Sequence, residues 1–202
     1  MKTPLRYPGG KQKAAPTIYK YFPPSPARYI EPMVGGGSLF FYAQEHSYAP
    51  EYWINDLNKD LMGFYDTFRD SSYNEKKSKE LQTLRMTMIP SEYSESSMEL
   101  LSPGMAFFIR NRASFSGTTQ AGGWSPYAGQ RIKKVIYSLL GSGQEDKVIW
   151  KEHPNNRFTK SSIERLKGLP EALKGVKITS FSVFKVLKGA KEGDFVYLDP
   201  PY

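Results

Sequence analysis

Residues Arg28 to Tyr42 read RYIEPMVGGGSLFFY. A β-forming run enters three consecutive glycines and leaves as the start of a helix, with Ser38 near its cap. The chain must therefore turn sharply at Gly35, Gly36 and Gly37. Without Cβ atoms the backbone can bend tightly there and a ligand can come close to it. The N–H groups that open the helix then face that ligand as donors. The spacing is not the dinucleotide pattern G-x-G-x-x-G, because Ser38-Leu39-Phe40 follows. It also lacks the Lys-Ser/Thr ending of a phosphate-binding loop. A plain structural turn explains a glycine cluster about as well as a ligand does.

The next segment extends the pattern. YWIND, residues Tyr52 to Asp56, reads as a second strand. Beyond it, Leu61, Phe64, Tyr65 and Phe68 recur at helical spacing. Strand, glycine turn, helix, strand and acid make half of a nucleotide-binding α/β unit. Asp56 lies about 20 residues past the glycines, where such folds place an acid that accepts from ribose hydroxyls. It also precedes a helix, so a capping role is open to it.

From about residue 71 to 177 the character changes. SSYNEKKSKELQTLRM is polar and helical in pattern. A helix is expected after Ser102-Pro103, and another across RFTKSSIERLKGLPEALKG with Ser161 or Ser162 as cap. Between them SGTTQAGGWSPYAGQR reads as loops or a hairpin. VKITSF and DFVYLDPPY return to strands around a short helix, SVFKVLKGA. The expected division is a cofactor-binding part at 1–68, an inserted region at 69–176 and a catalytic-strand part at 177–202. The insertion is about 100 residues, a typical domain size.

Composition narrows the function classes. The net charge of +8 favours a polyanionic partner, most often nucleic acid. Cysteine is absent, which excludes disulfides and thiolate metal sites and fits a reducing cytoplasm. The histidines, His46 and His153, are far apart, so a histidine metal site is not expected. No apolar run is long enough to span a membrane, and the N-terminal residues carry no secretory signal.

Two further segments carry chemistry. In RYPGGK, Lys11 follows Gly9 and Gly10 and suits an anionic group such as a carboxylate or phosphate. Tyr7 could stack on a ligand or close a pocket wall. At the other end, Asp199-Pro200-Pro201-Tyr202 follows a strand. Each X-Pro step holds the preceding residue extended, so this loop is stiff. The prolines donate no backbone hydrogen bond and leave carbonyls free to accept. With Asp199 they can receive both protons of an exocyclic amino group. Tyr202 offers a flat face for a base. A rigid strand-ending turn is the plain alternative, and it explains the four residues together poorly.

RYPGGK, EPMVGGGSLF, INDLN, the insertion and YLDPPY, in that order, resemble the Dam-type DNA adenine-N6 methyltransferases. FFIRNRASFSG followed by GGWSPYAG also resembles the segment of that family with an asparagine-arginine pair and a DNA-reading hairpin. The resemblance covers essentially the whole chain. It implies an α/β, Rossmann-like methyltransferase sheet with an inserted, mainly helical target-recognition domain. It implies S-adenosylmethionine as cofactor. Tyr7, Gly9, Gly10 and Lys11 would lie by the methionine end. Glu31, Pro32, Gly35, Gly37 and Ser38 would cradle the cofactor. Asp56 would hold the ribose, and Phe181 of the Thr179-Ser180-Phe181 stretch would approach the adenine. Asp199, Pro200, Pro201 and Tyr202 would bind the target adenine, with Asp199 also beside the cofactor. Two positions depart from the pattern. Tyr7 stands where tryptophan is frequent, and Ser180 where many relatives have an acid.

A base buried in a duplex must be flipped out before its amino group can be reached. Methyl transfer is then a direct in-line displacement, for which the protein mainly supplies alignment. The resemblance implies double-stranded DNA as partner, and monomeric action is expected. Arg110, Asn111, Arg112, Trp124, Arg131, Lys133 and Lys134 are the candidate DNA contacts, with Arg157 and Lys160 further along. One rival is another N-methyltransferase acting on cytosine or on a protein amide. A second is a truncated family member that binds DNA, or needs a complementing C-terminal chain, without acting alone. FVYLDPPY would otherwise be an exposed apolar edge, so the sheet is expected to be incomplete at its C-terminal end.

Overall fold

The computed structural model describes residues 1–70, 102–113 and 165–200. Its centre is a parallel four-stranded sheet: β1 (Arg28–Glu31), β2 (Tyr52–Asn55), β3 (Lys177–Thr179) and β4 (Asp194–Val196). The order is β3-β2-β1-β4, with Ile30 opposite both Trp53 and Val196, and Asn55 opposite Thr179. The chain walks outward from β1 to β2 to β3, then crosses back to lay β4 on the other side of β1. The order reverses between β1 and β4. In open α/β sheets that reversal leaves a crevice outside the carboxyl ends of the strands, where ligands bind.

The two central strands, β1 and β2, are buried over their last three residues, and their pleat sorts side chains by alternation. Tyr29 and Ile54 face one side and join the main core. Ile30 and Trp53 face the other and pack with Val186. Helices cover the main-core side. α1 (Ala15–Tyr19) lies by α2 (Ser38–Glu45), whose Leu39, Phe40, Phe41 and Ala43 are buried. α3 (Lys59–Arg69) buries Leu61, Phe64, Tyr65 and Phe68, the residues its sequence periodicity marks. Asn58 caps it, accepting from the Asp60 and Leu61 N–H groups. Asp56 is therefore not the cap. α2 opens on Gly37, at φ 73°, with Ser38 as its first residue.

α4 (Pro103–Ala113) packs along α3. Phe107 and Phe108 meet Phe64 with ring centroids about 6 Å apart. The helix expected across residues 157–175 is described from Arg165 onward. It is interrupted at Gly168 and continues as α5 (Leu169–Ala172). Met105, Phe107, Phe108, Leu166, Leu169 and Leu173 share one buried cluster with Tyr29 and Phe64. The described parts of the 69–176 stretch thus belong to the same core as the first 68 residues. On the opposite face α6 (Val183–Lys188), capped by Ser182, buries only Val186.

The α3–α4 crossing is close because of Gly104. A Cβ on Gly104 would overlap the Thr67 side chain and come within 2.9 Å of the Gly63 carbonyl oxygen, whereas a Cβ on Gly63 would meet nothing. Gly104→Ala is therefore expected to destabilise the fold by about 1–3 kcal/mol through overpacking. Gly63→Ala should stabilise it by about 0.5–1 kcal/mol, since glycine is a poor residue inside a helix. Urea unfolding of the two variants checks both signs.

Candidate active site

A cleft of about 520 Å³ opens at the carboxyl ends of the strands, where the order reverses. Each strand delivers one piece of its wall. The segment after β1 gives Pro32 and the glycine turn, β2 leads to Asp56, β3 to Phe181, and β4 to Asp199 and Pro200. The N-terminal segment closes the wall with Tyr7, Gly9, Gly10 and Lys11. Of the residues singled out in the sequence, Glu31, Gly35 and Ser38 line it as well. Gly37 lies just behind.

The glycine turn is shaped from both sides. A Cβ on Gly35 or Gly36 would stand 2.8 Å or 2.7 Å from Tyr7, so these two glycines let the tyrosine lie flat against the turn. Burial, aided by the Asp56 charge, pushes the Tyr7 hydroxyl up to about 12. Gly37 holds a left-handed φ, and its Cβ would meet the Tyr65 hydroxyl at 2.8 Å. That hydroxyl instead donates to the Gly35 carbonyl at 2.9 Å. Asp56 completes the clamp. Its Oδ2 accepts from the Gly35 N–H and its Oδ1 from the Asn58 N–H, each at 3.0 Å. Both oxygens retain a lone pair for a further donor.

Behind the wall sits Asn55, fully buried. Its Nδ2 donates to the Pro32 carbonyl at 2.9 Å and the Phe181 carbonyl at 3.0 Å. Its Oδ1 accepts from the Thr179 hydroxyl at 2.8 Å and the Phe181 N–H at 2.7 Å. Asn55 escaped the sequence reading. A polar residue closing an otherwise apolar strand, YWIN, was the available signal.

Two ionic features govern the interior. Lys11 Nζ lies 2.8 Å and 3.0 Å from the two Asp199 oxygens. Asp199 is thus one anionic partner of Lys11. Glu31 is buried, and its Oε2 accepts from the Tyr29 hydroxyl at 2.6 Å. Burial above all, with lesser repulsion from Asp199 and Asp56, pushes the Glu31 carboxyl up to about 8. Three acids, Glu31, Asp56 and Asp199, thus stand against Lys11 among the described lining residues.

The candidate DNA contacts fare differently. Asn111 is fully buried. Its amide accepts from the Arg6 N–H at 2.9 Å and donates to the Arg6 carbonyl at 2.7 Å. Arg112 is 7% exposed and donates to the Pro4 carbonyl. Burial, with the Arg6 and Arg165 charges adding, lowers its guanidinium to about 9, which leaves it charged at neutral pH. Both side chains of the pair expected to read DNA are thus buried and hold the N-terminal segment on α4. Arg110 is partly exposed. Trp124, Arg131, Lys133, Lys134, Arg157, Lys160, Pro201 and Tyr202 lie outside the described residues. Among the described residues no cluster of acids and histidines could hold a metal ion. No described helix is long and apolar enough to cross a membrane.

A parallel sheet with a glycine turn after β1, an acid after β2 and a cleft at the strand reversal defines an open α/β protein of the nucleotide-binding kind, consistent with a methyltransferase fold. The profile of the D12 class N6 adenine-specific DNA methyltransferases matches residues 7–202, and the chain belongs to that family. It is 27% identical over 208 residues to the type II methyltransferase M1.LlaDCHI of Lactococcus lactis subsp. cremoris, covering 98% of this chain and 64% of that protein. It is 26% identical over 210 residues to the DNA N-6-adenine-methyltransferase of Escherichia phage P1, covering 98% of this chain and 24% of that protein. Against the type II methyltransferase M.MjaIII of Methanocaldococcus jannaschii the identity is 25% over 203 residues, covering 98% and 68%. The chain therefore spans about two thirds of the two type II enzymes and about a quarter of the phage protein.

Asp56 braces the glycine turn through the chain's own N–H groups. Asp56→Ala is therefore expected to cost about 1–3 kcal/mol of stability with no ligand present, because two N–H groups lose their acceptors. Asp56→Asn, which keeps one acceptor oxygen, should lose less. Ligand-free thermal unfolding separates this bracing from any part in binding.

Proposed function

We propose that the protein transfers a methyl group from S-adenosylmethionine to the exocyclic N6 of an adenine flipped out of double-stranded DNA. The observation that carries this is the convergence of Lys11, Glu31, the glycine turn, Asp56, Phe181 and Asp199 on one cleft from separate stretches of sequence. Family membership supports the same reaction.

The donor set fits the cofactor. S-adenosylmethionine carries two positive centres and one carboxylate, and the lining offers three acids and one lysine. Phe181 gives an apolar face for its adenine, and Asp56 has acceptor capacity left for ribose hydroxyls. Lys11 would hold the methionine carboxylate, beside Tyr7, Gly9 and Gly10. The loop from Glu31 through Pro32, Gly35 and Gly37 to Ser38 would form the floor. When bound, the cofactor supplies an electrophilic methyl on sulfonium.

The chain's own task is alignment. Asp199 and the Pro200 carbonyl would accept the two N6 protons, which turns the nitrogen lone pair toward the methyl. The Asp199 carboxylate would stabilise positive charge as it develops on N6. Tyr202 would stack on the flipped base, and Pro201 would keep the loop stiff. The 69–176 stretch would carry target recognition, with Arg110, Trp124, Arg131, Lys133 and Lys134 toward the duplex. The excess of positive charge supports a polyanionic partner. The protein would act as a monomer in the cytoplasm.

The test is methyl transfer from labelled S-adenosylmethionine to unmethylated DNA, followed by digestion to nucleosides. Label should appear in N6-methyladenine, and Asp199→Ala should reduce it about 10²–10³-fold. Label in cytosine or in protein would sink the proposal.

A further inference from the structure

Glu31 ends β1 and lines the cleft at 4% exposure. Its carboxyl is held by neutral donors, the Tyr29 hydroxyl at 2.6 Å and the Phe40 N–H. Among the described residues no cation forms an ion pair with it. The lysine of the cleft, Lys11, is held by Asp199. The other groups that act on it are Asp199 after β4 and Asp56 after β2, both acids, and the phenol of Tyr65 on α3. A carboxylate this buried, without a counter-charge, neutralises by keeping its proton. Burial accordingly raises its pKa to about 8.

We propose that Glu31 is the group in this cleft that selects a cationic ligand, and that it gives up one proton when S-adenosylmethionine binds. This rests on the function proposed above. Among the described residues the unliganded cleft offers Glu31 no cation that would match a carboxylate, and the cofactor brings one. The O–H bond of Glu31 breaks, its proton leaves to solvent, and the electron pair stays on a carboxylate now matched by the ligand. The ligand thus supplies the counter-charge that the fold withholds. Neutral analogues of the same shape would leave the proton in place and bind less tightly.

Titration calorimetry with S-adenosylmethionine, run at about pH 6.5 in buffers of different ionisation enthalpy, counts the proton. The ligand's own α-amino group titrates near pH 8 in every variant, so the comparison between variants is what decides. Wild type should release about one proton more than Glu31→Gln, and its affinity should rise by up to about tenfold per pH unit until it flattens above about pH 8. Tyr29→Phe provides a second variant that keeps the packing. The Tyr29 hydroxyl favours the ionised form, so its loss should move the flattening to higher pH. Equal proton counts in wild type and Glu31→Gln, or a downward move in Tyr29→Phe, would overturn the proposal while leaving the cofactor in place. Failure of wild type to bind S-adenosylmethionine at all would remove the cofactor itself, and this proposal with it. If Glu31→Gln does not fold, the direction of the Tyr29→Phe shift decides.

Discussion

Four hydrogen bonds converge on the buried side chain of Asn55, and the cleft depends on them. The amide joins the ends of three strands at the level where the site begins: Pro32 beyond β1, its own β2, and Thr179 and Phe181 at β3. An apolar residue there would leave two carbonyls and an N–H buried without partners, a cost of roughly 1–3 kcal/mol for each. A charged residue would need a counter-ion that the strand ends do not offer. Asparagine carries two donors and two acceptor lone pairs in one plane, and the site uses all four. The Trp53 indole N–H reaches the same Thr179 hydroxyl at 2.8 Å, so the network crosses from the strand ends into the second core.

The N-terminal segment performs a comparable task between elements distant in sequence. Asn111 pairs with both backbone groups of Arg6, and Arg112 reaches the Pro4 carbonyl. Five residues past Arg6, Lys11 holds Asp199. Residues 3–11 therefore run as a strap from α4 to the segment beyond β4, with Tyr7 in between, lying against the glycine turn. These distant segments meet because charge and backbone polarity are satisfied there. That explains why a short GGK segment, ordinary on its own, belongs to the site.

Much of this was legible from the sequence, for identifiable reasons. Leu61, Phe64, Tyr65 and Phe68 repeat at the helical period, and burial tracks that period directly. The glycine turn was legible because three glycines between strand and helix have few other uses. The features that escaped were set by tertiary context. Asn111-Arg112 sits in a segment where surface contacts are natural to expect, and nothing local says that α4 turns those side chains toward the N-terminus. Asp56 offered two roles, and the chain assigns it a third, because the Gly35 N–H lies across a loop connection that no spacing rule encodes. Lys11 announced an anion, but that the anion would be Asp199, 188 residues away, is information only the fold contains.

The charge balance of the cleft derives from the same geometry. A strand reversal brings the carboxyl ends of β1 and β4 side by side, so any acids placed there for separate purposes are forced together. Glu31 and Asp199 are such a pair, and Asp56 joins them from β2. Three carboxylates so placed cannot all be charged without compensation. Lys11 compensates Asp199, and hydrogen bonds from Gly35 and Asn58 support Asp56. Glu31 is left with a phenol and an amide, neither of which carries charge. The missing counter-charge is therefore a property of the topology rather than of one residue. A cation entering this cleft meets, among the described residues, one buried carboxyl group that no cation pairs.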